Sequence, residues 1–141
     1  MEELIETLHN GNYSCVVRHN KGVVLCHGRG VSDLYKMLNE TPQLLKDSQI
    51  ADKIVGKGAA ALIIMGGVSQ VYADVISEPA KLLFEQYGIS PRFANCVPNI
   101  INRDGSGICP VEQLCEKCTT PEECIPLITE FITKIKAFNN N

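Results

Sequence analysis

The chain has 141 residues, of which 45% are hydrophobic, and its formal net charge is −3. This length is enough for one domain with a buried core. Its basic residues are scattered and it has no tryptophan, so neither a basic patch nor an aromatic platform for nucleic acid is indicated. No apolar run reaches the ~20 residues that span a bilayer. We therefore expect a protein that binds neither nucleic acid nor membrane.

The N-terminus is acidic and amphipathic, unlike the basic start of a signal peptide. This favours a cytoplasmic location. In the cytoplasm the seven cysteines are expected to be reduced, metal-bound or redox-active rather than joined in structural disulfides.

The first half of the chain predicts a helix, a hairpin and a second helix. Leu4, Ile5 and Leu8 recur at helical spacing, and residues 13–18 and 23–26 have strand composition. The intervening His-Asn-Lys-Gly segment is typical of a hairpin turn. A helix is predicted over residues 32–38, and a further helical turn begins at Thr41-Pro42.

The apolar residues between positions 49 and 65 also have helical spacing, which predicts a central helix closed by Gly66 and Gly67. Gly56 and Gly58 fall inside this predicted helix. Glycines there indicate the close approach of a neighbouring backbone or a ligand, and tight packing on the sheet is the simpler interpretation.

The second half predicts strands at residues 71–76 and 92–97 and helices at 78–87, 110–117 and 121–138. Thr120 to Glu123 form a capping box for the last helix. We expect a single domain over residues 1–138 and a disordered tail at 139–141. The fold class is α/β, a three-layer α/β/α sandwich whose mixed sheet has an N-terminal antiparallel hairpin. Three cysteines on predicted strands are expected in the core, namely Cys15, Cys26 and Cys96.

In sheets of this type, ligands bind beyond the carboxyl ends of the strands, which here are the loops that begin near Ser77 and Pro98. The segments at residues 51–62, 75–78 and 97–112 resemble the bacterial and archaeal family called domain of unknown function 1893. The resemblance extends over roughly residues 2–135. It implies a cytidine-deaminase-like fold, and proteins of that fold commonly form homo-oligomers.

A zinc deaminase carries a Glu-Pro-Cys turn followed by a second cysteine three residues later. The corresponding turn here is Ser77-Glu78-Pro79-Ala80, and Leu83 takes the place of the second cysteine. No histidine or cysteine lies between His27 and Cys96 to provide the third metal ligand. We therefore expect a deaminase-like frame that has lost its zinc motif.

Asp52, Lys57 and Glu78 are predicted near helix starts at the same edge of the sheet. In the functional interpretation, Asp52 and Lys57 bind a ligand, and Lys57 acts as anion ligand or proton donor with Glu78 as its base. In the structural interpretation, Glu78 is a first-turn residue that the helix dipole stabilises, and Ser77 caps that helix.

The loop before the helix at residue 110 carries further catalytic candidates. Cys109 precedes a helix N-terminus, where the dipole favours the thiolate form. Asp104 and Glu112 are placed to polarise a nucleophile or to handle protons.

The same loop carries candidates for ligand binding. Arg103 can bind a phosphate or carboxylate, and Asn102, Ser106 and the loop amides can help to hold it. The alternative is a helix-capping loop with a buried cysteine.

The C-terminal cysteines form a second group. Cys115 and Cys118 have the C-x2-C spacing of half a zinc or iron–sulfur site, and Cys109 and Cys124 flank them at unusual spacings. Ordinary packed thiols are the alternative.

The sequence therefore predicts a protein that binds a small anionic, nucleotide-like ligand, with non-zinc catalysis open to Cys109, Asp104, Glu78 and Lys57. The alternatives are a cysteine-based redox or metal-binding protein and a catalytically silent oligomeric scaffold.

Overall fold

A mixed sheet organises the fold. In a computed structural model, the described residues are 1–20, 22–28, 31–102 and 104–139, and within them the sheet has five strands. The strands in chain order are β1 (Cys15–His19), β2 (Gly22–Cys26), β3 (Gln49–Val55), β4 (Gln70–Ser77) and β5 (Arg92–Val97). Their spatial order is β2-β1-β3-β4-β5.

Helices cover both faces of this sheet. Within the described residues they are α1 (Glu2–Asn10), α2 (Ser32–Glu40), α3 (Lys57–Gly66), α4 (Glu78–Gln86), α5 (Pro110–Cys115) and α6 (Pro121–Asn139), with a 3₁₀ turn at Pro42–Leu44. Leu4 and Leu8 of α1 pack on one face in a small cluster with Val16, Ala51 and Tyr72. The main core lies between the other face and the remaining helices.

The strand directions confirm the predicted fold class. β1 is antiparallel to β2 and β3, whereas β4 is parallel to β3 and β5 is parallel to β4. The protein is thus an α/β structure with a mixed sheet and an N-terminal antiparallel hairpin. Because β3, β4 and β5 are parallel, their carboxyl ends lie at one edge, where α3 and α4 begin.

The predicted helix over residues 49–65 is wrong in its first half. Gln49–Val55 is β3, and α3 begins only at Lys57. Ile50 and Ala51 are both fully buried, because this central strand is covered on both faces. Burial on both faces removes the alternation that marks a strand with one solvent face. The predicted end of the helix is confirmed, since Gly67 caps α3 in the left-handed conformation.

The two glycines of the predicted helix lie at its true start. Gly56 is the N-cap residue of α3, and Gly58 is its second helical residue. A Cβ atom at Gly58 would lie 2.3 Å from Cγ1 of Val111, so α5 packs here only because the side chain is absent. Close packing therefore explains Gly58, although the neighbour is α5 and not the sheet.

The prediction that the strand cysteines lie in the core is confirmed for Cys15 and Cys26 and is wrong for Cys96. Cys15 and Cys26 are buried, whereas Cys96 is exposed because β5 is an edge strand whose side chains from Arg92 to Cys96 face solvent. The first half of the capping box is confirmed by a hydrogen bond of 3.3 Å from the Glu123 amide to Oγ1 of Thr120, whereas the Glu123 carboxylate accepts from the Thr119 amide and not from that of Thr120. In the part of the chain described, no helix combines the length and the apolar character needed to cross a membrane.

Candidate functional site

A cavity of about 350 Å³ lies at the carboxyl end of β3, between the starts of α2 and α5. This volume is within the usual range for small-molecule sites. Apolar side chains form much of its wall, including Val31, Leu34, Ile100 and Val111. Its wall also carries polar and thiol groups, which are Ser14, Cys15, Asp33, Asp52, Lys53, Asn102, Cys109 and Glu112.

Asp52 is one of two buried carboxyl groups in this wall, with only 8% of the residue exposed. The sequence predicted a position near a helix start, whereas Asp52 lies on β3. Its Oδ1 accepts a hydrogen bond of 3.2 Å from the Ile54 amide. Burial raises the pKa of Asp52 to about 7, against the lowering effect of hydrogen bonds from the Ile54 amide and the Cys15 thiol. Both protonation states are therefore populated near neutral pH.

Cys15 is a site residue that the sequence analysis assigned only to the core. It lies opposite Cys26 in the β1–β2 ladder and opposite Asp52 in the β1–β3 ladder. Its hydrogen bond with Cys26, its burial and the nearby Asp52 charge all raise the pKa of the Cys15 thiol. The hairpin turn that the sequence predicts at residues 19–22 places position 15 opposite position 26, so this pairing could have been derived from the sequence.

Glu112 joins three segments beneath the cavity. It lies in the first turn of α5, and only 3% of the residue is exposed. Its Oε1 accepts hydrogen bonds from the Lys57 amide at 2.8 Å and from Oγ of Ser77 at 2.9 Å. Its Oε2 accepts one from the Ile100 amide at 2.5 Å. The carboxylate thus fixes the starts of α3 and α4 and the loop after β5, with three donors satisfied.

The side chain of Lys57 binds carbonyl groups at the C-terminal end of α5. Its ammonium donates to the carbonyl oxygens of Glu116 at 3.2 Å and Cys118 at 2.5 Å. A cation at the C-terminal end of a helix interacts favourably with the carbonyl groups left free there. Gly56 and Gly58, the sequence neighbours of Lys57, line the cavity, but the Lys57 ammonium is bound at the end of α5.

The turn at Ser77 and Glu78 has the geometry of the structural interpretation. Ser77 is the N-cap of α4, and its Oγ accepts a hydrogen bond of 3.2 Å from the Ala80 amide. Glu78 is the exposed first residue of that helix. Ala80 and Leu83, the residues at the two cysteine positions of a zinc deaminase, are packed in the core. This corner therefore holds α4 in place and carries no zinc ligand at those two positions.

The loop after Ile101 is closed by its own hydrogen bonds. The Ser106 amide donates to Oδ1 of Asn102 at 3.0 Å and to Oδ1 of Asp104 at 2.9 Å. The bonds with Ser106 lower the pKa of Asp104. Asp104 and Ser106 are exposed, whereas Asn102 lines the cavity. Arg103, the predicted anion ligand, lies outside the described residues.

Cys109 lines the cavity as the residue before α5. It is half-buried, and its amide donates to the Ile100 carbonyl at 2.8 Å. The structure thus brings together Asp52, Asn102, Cys109 and Glu112, and it places Glu78, Asp104 and Ser106 at exposed positions outside the cavity wall.

The other C-terminal cysteines form a buried cluster beside Lys57. The Cys124 thiol donates to the Thr120 carbonyl oxygen at 3.7 Å and interacts with the thiols of Cys115 and Cys118. Burial raises the pKa of Cys118 to about 11, and the hydrogen bond from Cys124 lowers that of Cys115. Within the residues that the structure describes, no group of three or more metal-ligating side chains is placed to hold a metal ion.

Fold and site together define an α/β domain with a small cavity at the carboxyl edge of a mixed sheet and a buried carboxyl group in its wall. The family model described as Domain of unknown function (DUF1893) matches residues 3–132, so the chain belongs to this family. A solved structure of a DUF1893 family protein from Thermotoga maritima is 24% identical and superposes with a TM-score of 0.82. The match covers 92% of this chain and 87% of that one, and it supports the fold. No curated protein matches the chain.

Proposed function

We propose that the protein binds a small polar molecule in the cavity at the end of β3, with Asp52 as the main polar contact. The observation that carries this proposal is a buried carboxyl group with a pKa of about 7 in the wall of a 350 Å³ cavity. Perturbed ionisable groups in clefts are a recurrent property of functional sites.

Other charged groups in the described wall already have partners. Asp33 accepts a hydrogen bond of 2.7 Å from the Gly28 amide, and Glu112 accepts the three described above. The ammonium of Lys53 donates to Oδ1 of Asn12 at 2.6 Å. Asp52 is more deeply buried than Asp33 and has fewer backbone donors than Glu112, so its carboxyl group is the one that a polar ligand would stabilise most.

A carboxyl group near its midpoint can accept hydrogen bonds when ionised and donate one when protonated. It therefore suits a ligand edge with adjacent donor and acceptor atoms, such as an amide, an amidine or a nucleobase. We propose such an edge against Asp52 and the apolar body of the ligand against Val31 and Leu34. The anionic part of a nucleotide-like ligand would then depend on Arg103. We further propose a cytidine-deaminase-like fold, as the family resemblance implies, which would agree with a nucleobase as the ligand.

The proposal is tested by thermal-shift screening with nucleobases, nucleosides, nucleotides and small amides. A compound that binds the native state raises the melting temperature. We expect Asp52→Asn to weaken the best compound by about 10- to 100-fold, the loss of a hydrogen bond to a charged group. Glu78→Gln, which changes an exposed carboxylate outside the cavity, is the matched control and should bind normally. The proposal is wrong if no compound binds or if Asp52→Asn binds as well as wild type.

Catalysis without zinc is a further part of the proposal, with Cys109 as nucleophile because it shares the cavity with Asp52. A bound ligand should then slow alkylation of Cys109 by iodoacetamide. Equal alkylation rates with and without ligand would remove Cys109 from the site. The proposals of a cytoplasmic, homo-oligomeric protein are independent of this test.

The cysteine-based alternative has one supporting observation, the contact among the thiols of Cys115, Cys118 and Cys124. Stoichiometric zinc or iron in protein purified without chelators would favour that alternative over the cavity.

A further inference from the structure

Cys15 and Cys26 form a buried thiol pair across the N-terminal hairpin. They are directly opposite each other in the β1–β2 ladder, with 4% and 5% of each residue exposed. Both side chains belong to the same core cluster. Opposed residues of antiparallel strands have Cα atoms about 4.5–5.5 Å apart, which is within the range of a disulfide. A bond between them therefore requires little backbone movement.

The pair is continuous with the ligand site. Asp52 lies opposite Cys15 on the other side of β1, so Cys26, Cys15 and Asp52 form a row across three neighbouring strands. Directly opposed residues of neighbouring strands project from the same face of the sheet, so the Cys15 thiol is next to the Asp52 carboxyl group, where hydrogen bonding by the thiol lowers the pKa of Asp52. Cys15 and Asp52 both line the cavity, so an oxidant small enough to enter it can reach the Cys15 sulfur.

We propose that Cys15 and Cys26 act as a reversible thiol–disulfide switch that changes the hydrogen bonding of Asp52. Its effect on ligand binding rests on the function proposed above. Because the pKa of the Cys15 thiol is raised, its oxidation is slow and proceeds from the small thiolate fraction. With a small peroxide as oxidant, the Cys15 sulfur attacks one peroxide oxygen, the O–O bond breaks, and the other oxygen leaves as water with the proton that Cys15 released. The Cys26 sulfur then attacks the Cys15 sulfenic acid, forms the S–S bond and releases a second water. A small dithiol reverses the reaction by exchange.

The disulfide has no S–H group, so oxidation removes the thiol donor from Asp52. Loss of a donor to the charged form favours the protonated form, which raises the pKa of Asp52 further. The other charged groups around this carboxyl lie on four elements and are unchanged by the reaction, namely Asp74 on β4, Lys53 on β3, Asp33 on α2 and Glu112 on α5. A ligand that binds ionised Asp52 is therefore released on oxidation at neutral pH.

The first experiment maps the disulfide in the full chain. Wild-type protein is treated with limiting hydrogen peroxide, its free thiols are alkylated, and the peptides are analysed by mass spectrometry. We expect a linked pair of peptides containing Cys15 and Cys26 that dithiothreitol separates. A bond from Cys124 to Cys115 or Cys118, with Cys15 and Cys26 both alkylated, would overturn the proposal.

The second experiment follows the Asp52 carboxyl carbon by ¹³C NMR and needs no ligand. We expect oxidation to raise its titration midpoint by about half a pH unit or more. Cys15→Ala should raise the midpoint without oxidant. Cys26→Ser keeps the Cys15 thiol and forms no disulfide, so dithiothreitol-treated Cys26→Ser should titrate like reduced wild type.

An unchanged midpoint in fully oxidised wild type would contradict the switch even if a ligand were found. A raised midpoint with no ligand from the screen would support the switch and leave only the proposed function in error.

Discussion

Two buried carboxyl groups lie at the carboxyl edge of the sheet, and their surroundings differ. Glu112 accepts hydrogen bonds from the Lys57 amide, the Ser77 hydroxyl and the Ile100 amide. Asp52 accepts one from the Ile54 amide and lies opposite Cys15 on the neighbouring strand, and burial raises its pKa to about 7.

The difference separates a structural carboxylate from a functional one. A buried charge is tolerated when its desolvation is offset by hydrogen bonds, and Glu112 has donors from three segments of the chain. Asp52 lacks such an offset, so its ionised form is costly and its capacity for hydrogen bonding is directed to the cavity. Burial alone would have given both residues the same role.

Removing Glu112 should have the largest effect on stability. Glu112→Ala leaves three buried donors without partners, at about 1–3 kcal/mol each, so we expect a loss of about 5 kcal/mol in the free energy of unfolding. Urea denaturation measures this loss. Glu116→Gln changes an exposed carboxylate one helical turn further along and should stay within about 0.5 kcal/mol of wild type. A similarly small loss in Glu112→Ala would mean that Glu112 is not the structural member of the pair.

Asp52→Asn should change how stability depends on pH. The pKa of Asp52 is about 7 in the folded chain against a model value of 3.8, so the folded state binds the extra proton between these values. The stabilisation from this bound proton is therefore fully present below pH 4 and is lost as the pH rises through 7. The loss is about 1.4 kcal/mol per pH unit, or about 4 kcal/mol in all.

Asparagine does not titrate, so Asp52→Asn should be stabilised relative to wild type as the pH rises from 4 to 7. Urea denaturation at several pH values measures the difference. Parallel stability curves for the two proteins would show that Asp52 is as well compensated as Glu112.

Lys57→Met should have a smaller effect. The variant keeps the backbone amide that binds Glu112 but leaves the carbonyl oxygens of Glu116 and Cys118 without the ammonium. We expect a loss of about 1–2 kcal/mol in urea denaturation and unchanged ligand binding. Lys117→Met, at an exposed position, is the control. If Lys57→Met loses ligand binding and Lys117→Met does not, then Lys57 is an anion ligand, as the sequence predicted.

Glu78→Gln should have the smallest effect, since the exposed carboxylate interacts mainly with the dipole of α4. A change of about 0.5 kcal/mol in stability is expected, together with normal binding in the thermal-shift assay. A clear loss of binding would place the ligand at the turn after β4 and away from Asp52.

The sequence predicted the element order well wherever a pattern was local. The hairpin, the first half of the capping box and the glycine end of α3 depend on neighbouring residues and were confirmed. β3 was missed because residues 50–52 are buried in succession, which removes the alternation of a strand, and because Ile50 and Ile54 have helical spacing.

The candidate site was predicted in part for the same reason. Asp52, Cys109 and Glu112 were named as candidates from their chemistry, but their separate surroundings depend on contacts between distant segments. The Glu112 amide partners lie 55 and 12 residues away, and the Asp52 thiol partner lies on another strand. The pairing of Cys15 with Cys26 could have been derived from the predicted hairpin turn, but the sequence analysis assigned both residues only to the core.

The most direct test of the central claim is the titration of the Asp52 carboxyl carbon by ¹³C NMR in the reduced protein, with Asp52→Asn to assign the signal. The account predicts a midpoint near pH 7, set by burial beside the cavity. A midpoint near the ordinary aspartate value of about 4 would show a well-solvated or well-paired carboxylate and would contradict the assignment of Asp52 as the group that meets the ligand.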